Sequence, residues 1–166
     1  LAEIMEQYPV LILSGGVSKG KYDYLPEAFD SLGVNKLFHK IQQRPGKPFW
    51  FGIRENSNVV FAFPGNPVST FMCFHRYFLP WMDKRLHQKT KSYEAVLTSD
   101  FSFRPKLHYF LQVNTSVKEG QLLAEPTTGK GSGDLANLVL ADGFLELPAD
   151  RTDFSEGEIF PYHPFR

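Results

Sequence analysis

The 166-residue sequence predicts an α/β unit followed by a small all-β, barrel-like domain. Three observations carry that expectation. An apolar run at 9–13 closes on Ser14-Gly15-Gly16, the pattern of a buried parallel strand entering a tight loop. Helical and strand patterns then interleave as far as residue 87, and beyond about Lys91 short strands alternate with turn signals. The chain can fill two cores, with 42% hydrophobic residues, 22% charged ones and 16 Phe, 7 Tyr and 2 Trp.

Each element has a local reason. Asp23 is placed to cap a helix in which Leu25, Ala28, Phe29 and Leu32 recur at helical spacing, with Pro26 in the first turn and Gly33 ending it. Residues 36–43 alternate as a strand that Pro45-Gly46-Lys47-Pro48 interrupts. Two more strands, 50–53 and 59–63, flank the turn Asn56-Ser57-Asn58. A helix from Pro67 sends Val68, Phe71, Met72, Phe78 and Leu79 towards a core, and Pro80, lacking an N–H, kinks or ends it. Lys84 and Arg85 suit its C-terminal end, and a boundary is expected between His87 and Lys91. The later strands are expected at 93–99, 107–117, 121–125, 144–147 and 158–162, with a helical turn at 135–140 and a fraying tail from His163.

Composition also narrows function. Lys plus Arg equal Asp plus Glu at 18 each, which argues against a broadly basic nucleic-acid binder. The single Cys73 excludes an internal disulfide framework or a multi-cysteine metal site and fits a reducing cytoplasm. No apolar stretch approaches the roughly 20 residues that span a bilayer, and Glu3 and Glu6 stand where a signal peptide carries cations. A cytoplasmic protein with no membrane or nucleic-acid partner is expected. Leu1 directly precedes a buried-looking strand, so an upstream segment is expected as well.

The candidate chemistry lies in three loops. Ser14 to Lys21 joins a strand to a helix, where backbone N–H groups and a helix N-terminus favour an anion; the alternative is a plain tight turn. Gly15 to Lys21 fits G-x-x-x-x-G-K, but Tyr22 replaces the Ser or Thr that a P-loop needs for magnesium. Between Ser14 and Pro48, six cations face three carboxylates, and on one strand Lys40 and Arg44 would share a face about 13 Å apart. Pro64-Gly65-Asn66-Pro67 again ends a strand and opens a helix, on the same sheet edge as the first loop, which marks a ligand crevice.

These residues carry a resemblance. Ser14-Gly15-Gly16-Val17-Ser18-x-Gly20-x-x-Asp23, Lys40-x-x-x-Arg44-Pro45-Gly46-Lys47-Pro48 and Pro64-Gly65-Asn66-Pro67-Val68-Ser69 resemble the signature series of the bacterial MoeA family, molybdopterin molybdenumtransferases related to the gephyrin E domain. Arg104-Pro105-Lys106-Leu107-His108 is similar to the family's Arg-Pro-x-x-His element, and Gly131-Ser132-Gly133 with Ala136-Asn137 to its Gly-Ser segment. The resemblance implies residues 1–87 as the C-terminal half of a three-layer, MogA-like molybdopterin-binding α/β domain and 88–166 as the terminal β domain.

It further implies insertion of molybdate into adenylylated molybdopterin with release of AMP, magnesium as cofactor, and a homodimer. Carried over by position, Asp23 would hold magnesium and act with Lys40 and Arg44 in catalysis. Gly15, Gly16, Ser18, Lys47, Pro64, Pro67, Ser69, Arg104 and Ser132 would bind or shape the substrate site. Oxyanions want guanidinium, ammonium and hydroxyl donors, and magnesium wants carboxylate oxygens. Arg44 stands where lysine is common and Tyr109 where arginine is, and the family's upstream domains and second magnesium-binding aspartate are not in the sequence. The alternative is a non-catalytic fragment or scaffold module retaining part of the site. A phosphate-dependent enzyme of another kind is disfavoured by Tyr22.

Overall fold

Residues Val10–Ser14 form strand β1, which pairs in parallel with β5 (Asn58–Phe63) from Val10 opposite Val59 to Ser14 opposite Phe63. β4 (Trp50–Arg54) pairs antiparallel with β5, the arrangement a short hairpin connection imposes, and β2 (Asn35–His39) pairs antiparallel with β4. The sheet order β1-β5-β4-β2 therefore sets the ends of β1, β2 and β5 on one edge beside the start of β4. The computed structural model describes residues 1–18, 24–55, 58–127 and 135–166, with backbone only at 135 and 136. It divides into two compact units, Leu1–Ile41 with Gly46–Cys73, and Gln42–Pro45 with Phe74–Arg166.

In the first unit, alternation along β5 makes two faces. Val60 and Ala62 join Leu11 and Trp50 under Met5 of helix α1 (Ala2–Gln7) and Phe29 of helix α2 (Leu25–Ser31), with the Phe29 and Trp50 rings stacked at 4.5 Å. On the other face Phe61 and Phe63 meet Phe49 and Phe51, the Phe51 and Phe61 rings 4.8 Å apart. Gly52 leaves room for the Trp50 ring, since a Cβ there would lie 2.4 Å from Cη2. Two expectations are corrected. The cap of α2 is Tyr24, with no side-chain capping hydrogen bond, and Asp23 lies outside the described residues. The strand expected at 36–43 stops at His39, because Lys40 takes φ +70° and turns the chain out of extended geometry.

The helix expected from Pro67 is three segments: α3 (Pro67–Cys73), a π-helical stretch (Phe74–Phe78) and α4 (Leu79–Arg85). Pro80 sits in the first turn of α4, where its missing N–H is harmless, and the wider π turn before it absorbs the break.

In the second unit the long strand β8 (His108–Lys118) pairs with β9 (Gln121–Pro126) across a two-residue turn in which Glu119 and Gly120 both have positive φ. β8 also pairs with β10 (Gly143–Leu147), β10 with β12 (Ile159–Pro164), β12 with β6 (Tyr93–Leu97), and β6 with β9. Five strands thus close into a barrel around Leu97, Val113, Ala124, Leu145, Leu147 and Phe160. Three short strands were not expected: β3 (Gln43–Arg44) lies parallel to the start of β8, and β7 (Phe101–Ser102) pairs with β11 (Asp153–Phe154). Helix α5 (Leu135–Leu140) stands where a helical turn was expected. The tail does not fray. His163 and Pro164 extend β12, Phe165 N–H donates to Asp142 O, and Arg166 donates to the carbonyls of Leu138 and Val139.

Candidate functional site

The two glycine-bearing loops of the first unit touch at the carboxyl edge of its sheet. Gly15 has φ +92° and Gly16 +74°, conformations open to glycine, and Gly15 N–H donates to Phe63 O at 2.9 Å. A Cβ on Gly65 would lie 3.3 Å from Gly15 Cα, so two glycines are what lets the loops approach this closely. Ser14 Oγ shares a 3.0 Å hydrogen bond with Thr70 Oγ1, which donates to Pro64 O. His39 Nε2 makes a 2.8 Å hydrogen bond to Val17 O, tying the end of β2 to the first loop.

The start of α3 is largely satisfied from within. Pro67 has no N–H, and the Ser69 N–H and hydroxyl both donate to Asn66 Oδ1, at 2.9 and 3.1 Å. Ser69 is only 6% exposed, so its hydroxyl serves the cap. Fewer N–H groups of this helix therefore face an anion than its position on the sheet edge suggests. Pro64 is buried while Pro67, Ser18, Lys40 and Lys47 are exposed. Lys40 and Lys47 stand on one loop, closed by Lys40 N–H to Phe49 O at 3.0 Å and Ile41 N–H to Lys47 O at 2.9 Å.

Arg44 does not share a strand face with Lys40. It belongs to β3 in the second unit, opposite Tyr109, with its guanidinium carbon 5.9 Å from the centroid of Phe103. The Phe103 and Tyr109 rings stack at 4.1 Å. Burial pushes the Tyr109 hydroxyl above its ordinary pKa, and the Arg44 charge opposes this. Arg104 is exposed. Asp23, Lys19 to Tyr22 and Gly131 to Gly133, with Ser132 among them, lie outside the described residues.

The strongest charged node was not singled out in the sequence. Glu146, in the otherwise apolar β10, accepts from His163 Nε2 at 2.7 Å and from Arg76 Nε at 2.9 Å, and His108 Nδ1 lies 4.0 Å away. Burial pushes the Glu146 carboxyl up, but hydrogen bonds from His163 and Arg76, with their charges, outweigh it and hold the pKa at about 2. In the same unit the Tyr77 hydroxyl donates to the buried Gln43 Oε1. A lone glutamate inside Phe-Leu-Glu-Leu was the available signal, since a buried carboxylate requires partners.

A sequence profile described as a probable molybdopterin binding domain matches residues 1–84, and one described as the MoeA C-terminal region, domain IV, matches residues 94–165. The chain belongs to the MoeA family. A MoeA relative named molybdopterin molybdenumtransferase, from Synechocystis sp., is 46% identical over 159 residues, which are 95% of this chain and 38% of the relative. The Bacillus subtilis protein of the same name is 32% identical over 158 residues, 93% of this chain and 36% of the relative. The crystal structure of the molybdopterin biosynthesis MoeA protein from Pyrococcus horikoshii matches with a TM-score of 0.74 at 27% identity, covering 99% of this chain and 40% of that one. The chain thus spans well under half the length of these MoeA relatives.

The MoeA resemblance implies magnesium, and the described side chains do not fit it. No group of three or more His, Cys, Asp or Glu among the described residues could hold a metal ion. The donors on this sheet edge are hydroxyls, carbonyls, an imidazole and ammonium groups, whereas magnesium takes carboxylate oxygens and water.

Proposed function

We propose that this chain carries molybdopterin- and oxyanion-binding parts of an enzyme that inserts molybdate into adenylylated molybdopterin and releases AMP. The observation that carries the reading is the contact of the Ser14-Gly15-Gly16 loop with Pro64-Gly65-Asn66 at one sheet edge, with the Lys40 and Lys47 loop leaving the same edge. In this reading Gly15, Gly16 and Ser18 offer backbone and hydroxyl donors, and Pro64, Pro67 and Ser69 shape the wall. Lys40 and Lys47 supply positive charge at this edge for molybdate and phosphate oxygens, and Arg44, Arg104 and Ser132 enter the reading by resemblance alone. Magnesium enters through Asp23 by resemblance alone.

The name of the relatives, molybdopterin molybdenumtransferase, supports the transferase reading. A boundary at 87–88, a homodimer and a cytoplasmic location belong to the same proposal. The free Cys73 supports the last, and the exposed apolar residues Ile4, Tyr8 and Ile12 beside edge strand β1 support association. A second reading, a binding or scaffold module without turnover, is favoured by the absence of a metal-holding group among the described residues. AMP release from adenylylated molybdopterin with molybdate separates the two. The transferase reading expects release that falls at least tenfold in Lys40→Ala, and a folded chain that binds the pterin but releases no AMP supports the module.

A further inference from the structure

The second unit contains a cavity of about 310 Å³ that the proposed function does not use, with walls from the π-helical stretch, α4, residues 88–91, β6 and β12. That volume is at the lower end of small-ligand sites. Its wall is two-sided in chemistry. Lys89, Lys91, His75 and His163 supply positive or protonatable nitrogen, against the single carboxylate of Asp83. Leu79, Pro80, Tyr93 and Pro164 line its apolar part, and Gln88 and Thr90 add polar atoms. In a chain with no net charge, residues 84–91 alone carry Lys84, Arg85, Lys89 and Lys91 and no Asp or Glu.

We infer that this cavity binds a small organic anion with a phosphate-type head group and an apolar body. Four nitrogen-bearing side chains suit three phosphate oxygens better than one carboxylate, and the apolar wall leaves unused surface if the ligand is a bare oxyanion. His163 is held for this task from behind. Its Nε2 hydrogen bond to Glu146 fixes the ring, and Arg76 on the same carboxylate offsets the charge that would repel an anion. Burial keeps the His75 ring below its ordinary pKa in the free protein, and a bound anion would oppose that shift.

The test is an NMR titration of the 166-residue chain with phenyl phosphate at constant ionic strength, following the His75 and His163 ring signals. Saturable shifts of both rings are expected, weakened at least fivefold in Lys89→Ala/Lys91→Ala, whose two sites are exposed. Dispersed ring signals report folding in every sample. Linear shifts without saturation, or equal affinity in the double variant, would overturn the site. Inorganic phosphate should saturate the same signals more weakly, and equal affinity for it would overturn the organic-ligand assignment.

Discussion

Replacing Glu146 by Gln keeps the shape of the side chain and removes the charge that Arg76 and His163 surround. The folded carboxyl is held at about 2 against an ordinary value of 4.5. At 1.36 kcal/mol per pKa unit, that difference stabilises the fold by about 3 kcal/mol near neutrality. The folded pKa is depressed, so the contribution is complete above the unfolded pKa and is lost as pH falls through the folded one. Linkage gives about 3 kcal/mol at pH 5 to 7 and about 1.4 kcal/mol at pH 3. Urea unfolding of the chain and of Glu146→Gln at pH 7, 5 and 3 measures the difference, because acid effects from groups remote from this carboxylate cancel between them. A stability gap that closes from pH 5 to pH 3 is expected. A gap that is constant with pH, or absent at pH 7, would refute the assignment of Glu146 as a charged, doubly paired carboxylate.

Asn66→Ala removes the acceptor for the Ser69 N–H and hydroxyl, and should cost about 1 kcal/mol in urea unfolding. Gly65→Val places a side chain against Gly15 Cα and should part the two loops, weakening molybdate binding in calorimetry by at least tenfold while the far-UV spectrum is unchanged. Gly143→Ala puts a Cβ 2.3 Å from the Tyr162 ring, an overpacking cost of about 1–3 kcal/mol read as a lower urea midpoint.

The barrel and the mixed sheet were legible because apolar runs, period-2 patterns and glycine or proline turns survive in sequence, as at 59–63 and 107–117. The two loops at one edge were legible for the same reason, since each ends an apolar strand and opens a helix. What was hidden depends on tertiary pairing. Helix α1 and strands β3, β7 and β11 are too short to show a period, and Lys40 leaves the strand through a positive φ that nothing in its side chain announces. The tail looked free because Phe165 and Arg166 find their partners, Asp142, Leu138 and Val139, more than twenty residues upstream. At the site, the sequence showed the donors but not that Ser69 would be committed to Asn66, or that Arg44 would stand on a different sheet from β2.

The most direct measurement is calorimetric titration of the chain with molybdopterin, in the presence and absence of molybdate, alongside Lys40→Ala/Lys47→Ala. One pterin per chain, bound more tightly with molybdate and at least tenfold more weakly by the double variant, is the predicted result. Heat indistinguishable from dilution for a chain whose far-UV spectrum shows it folded would contradict the claim that this sheet edge is a molybdopterin and oxyanion site.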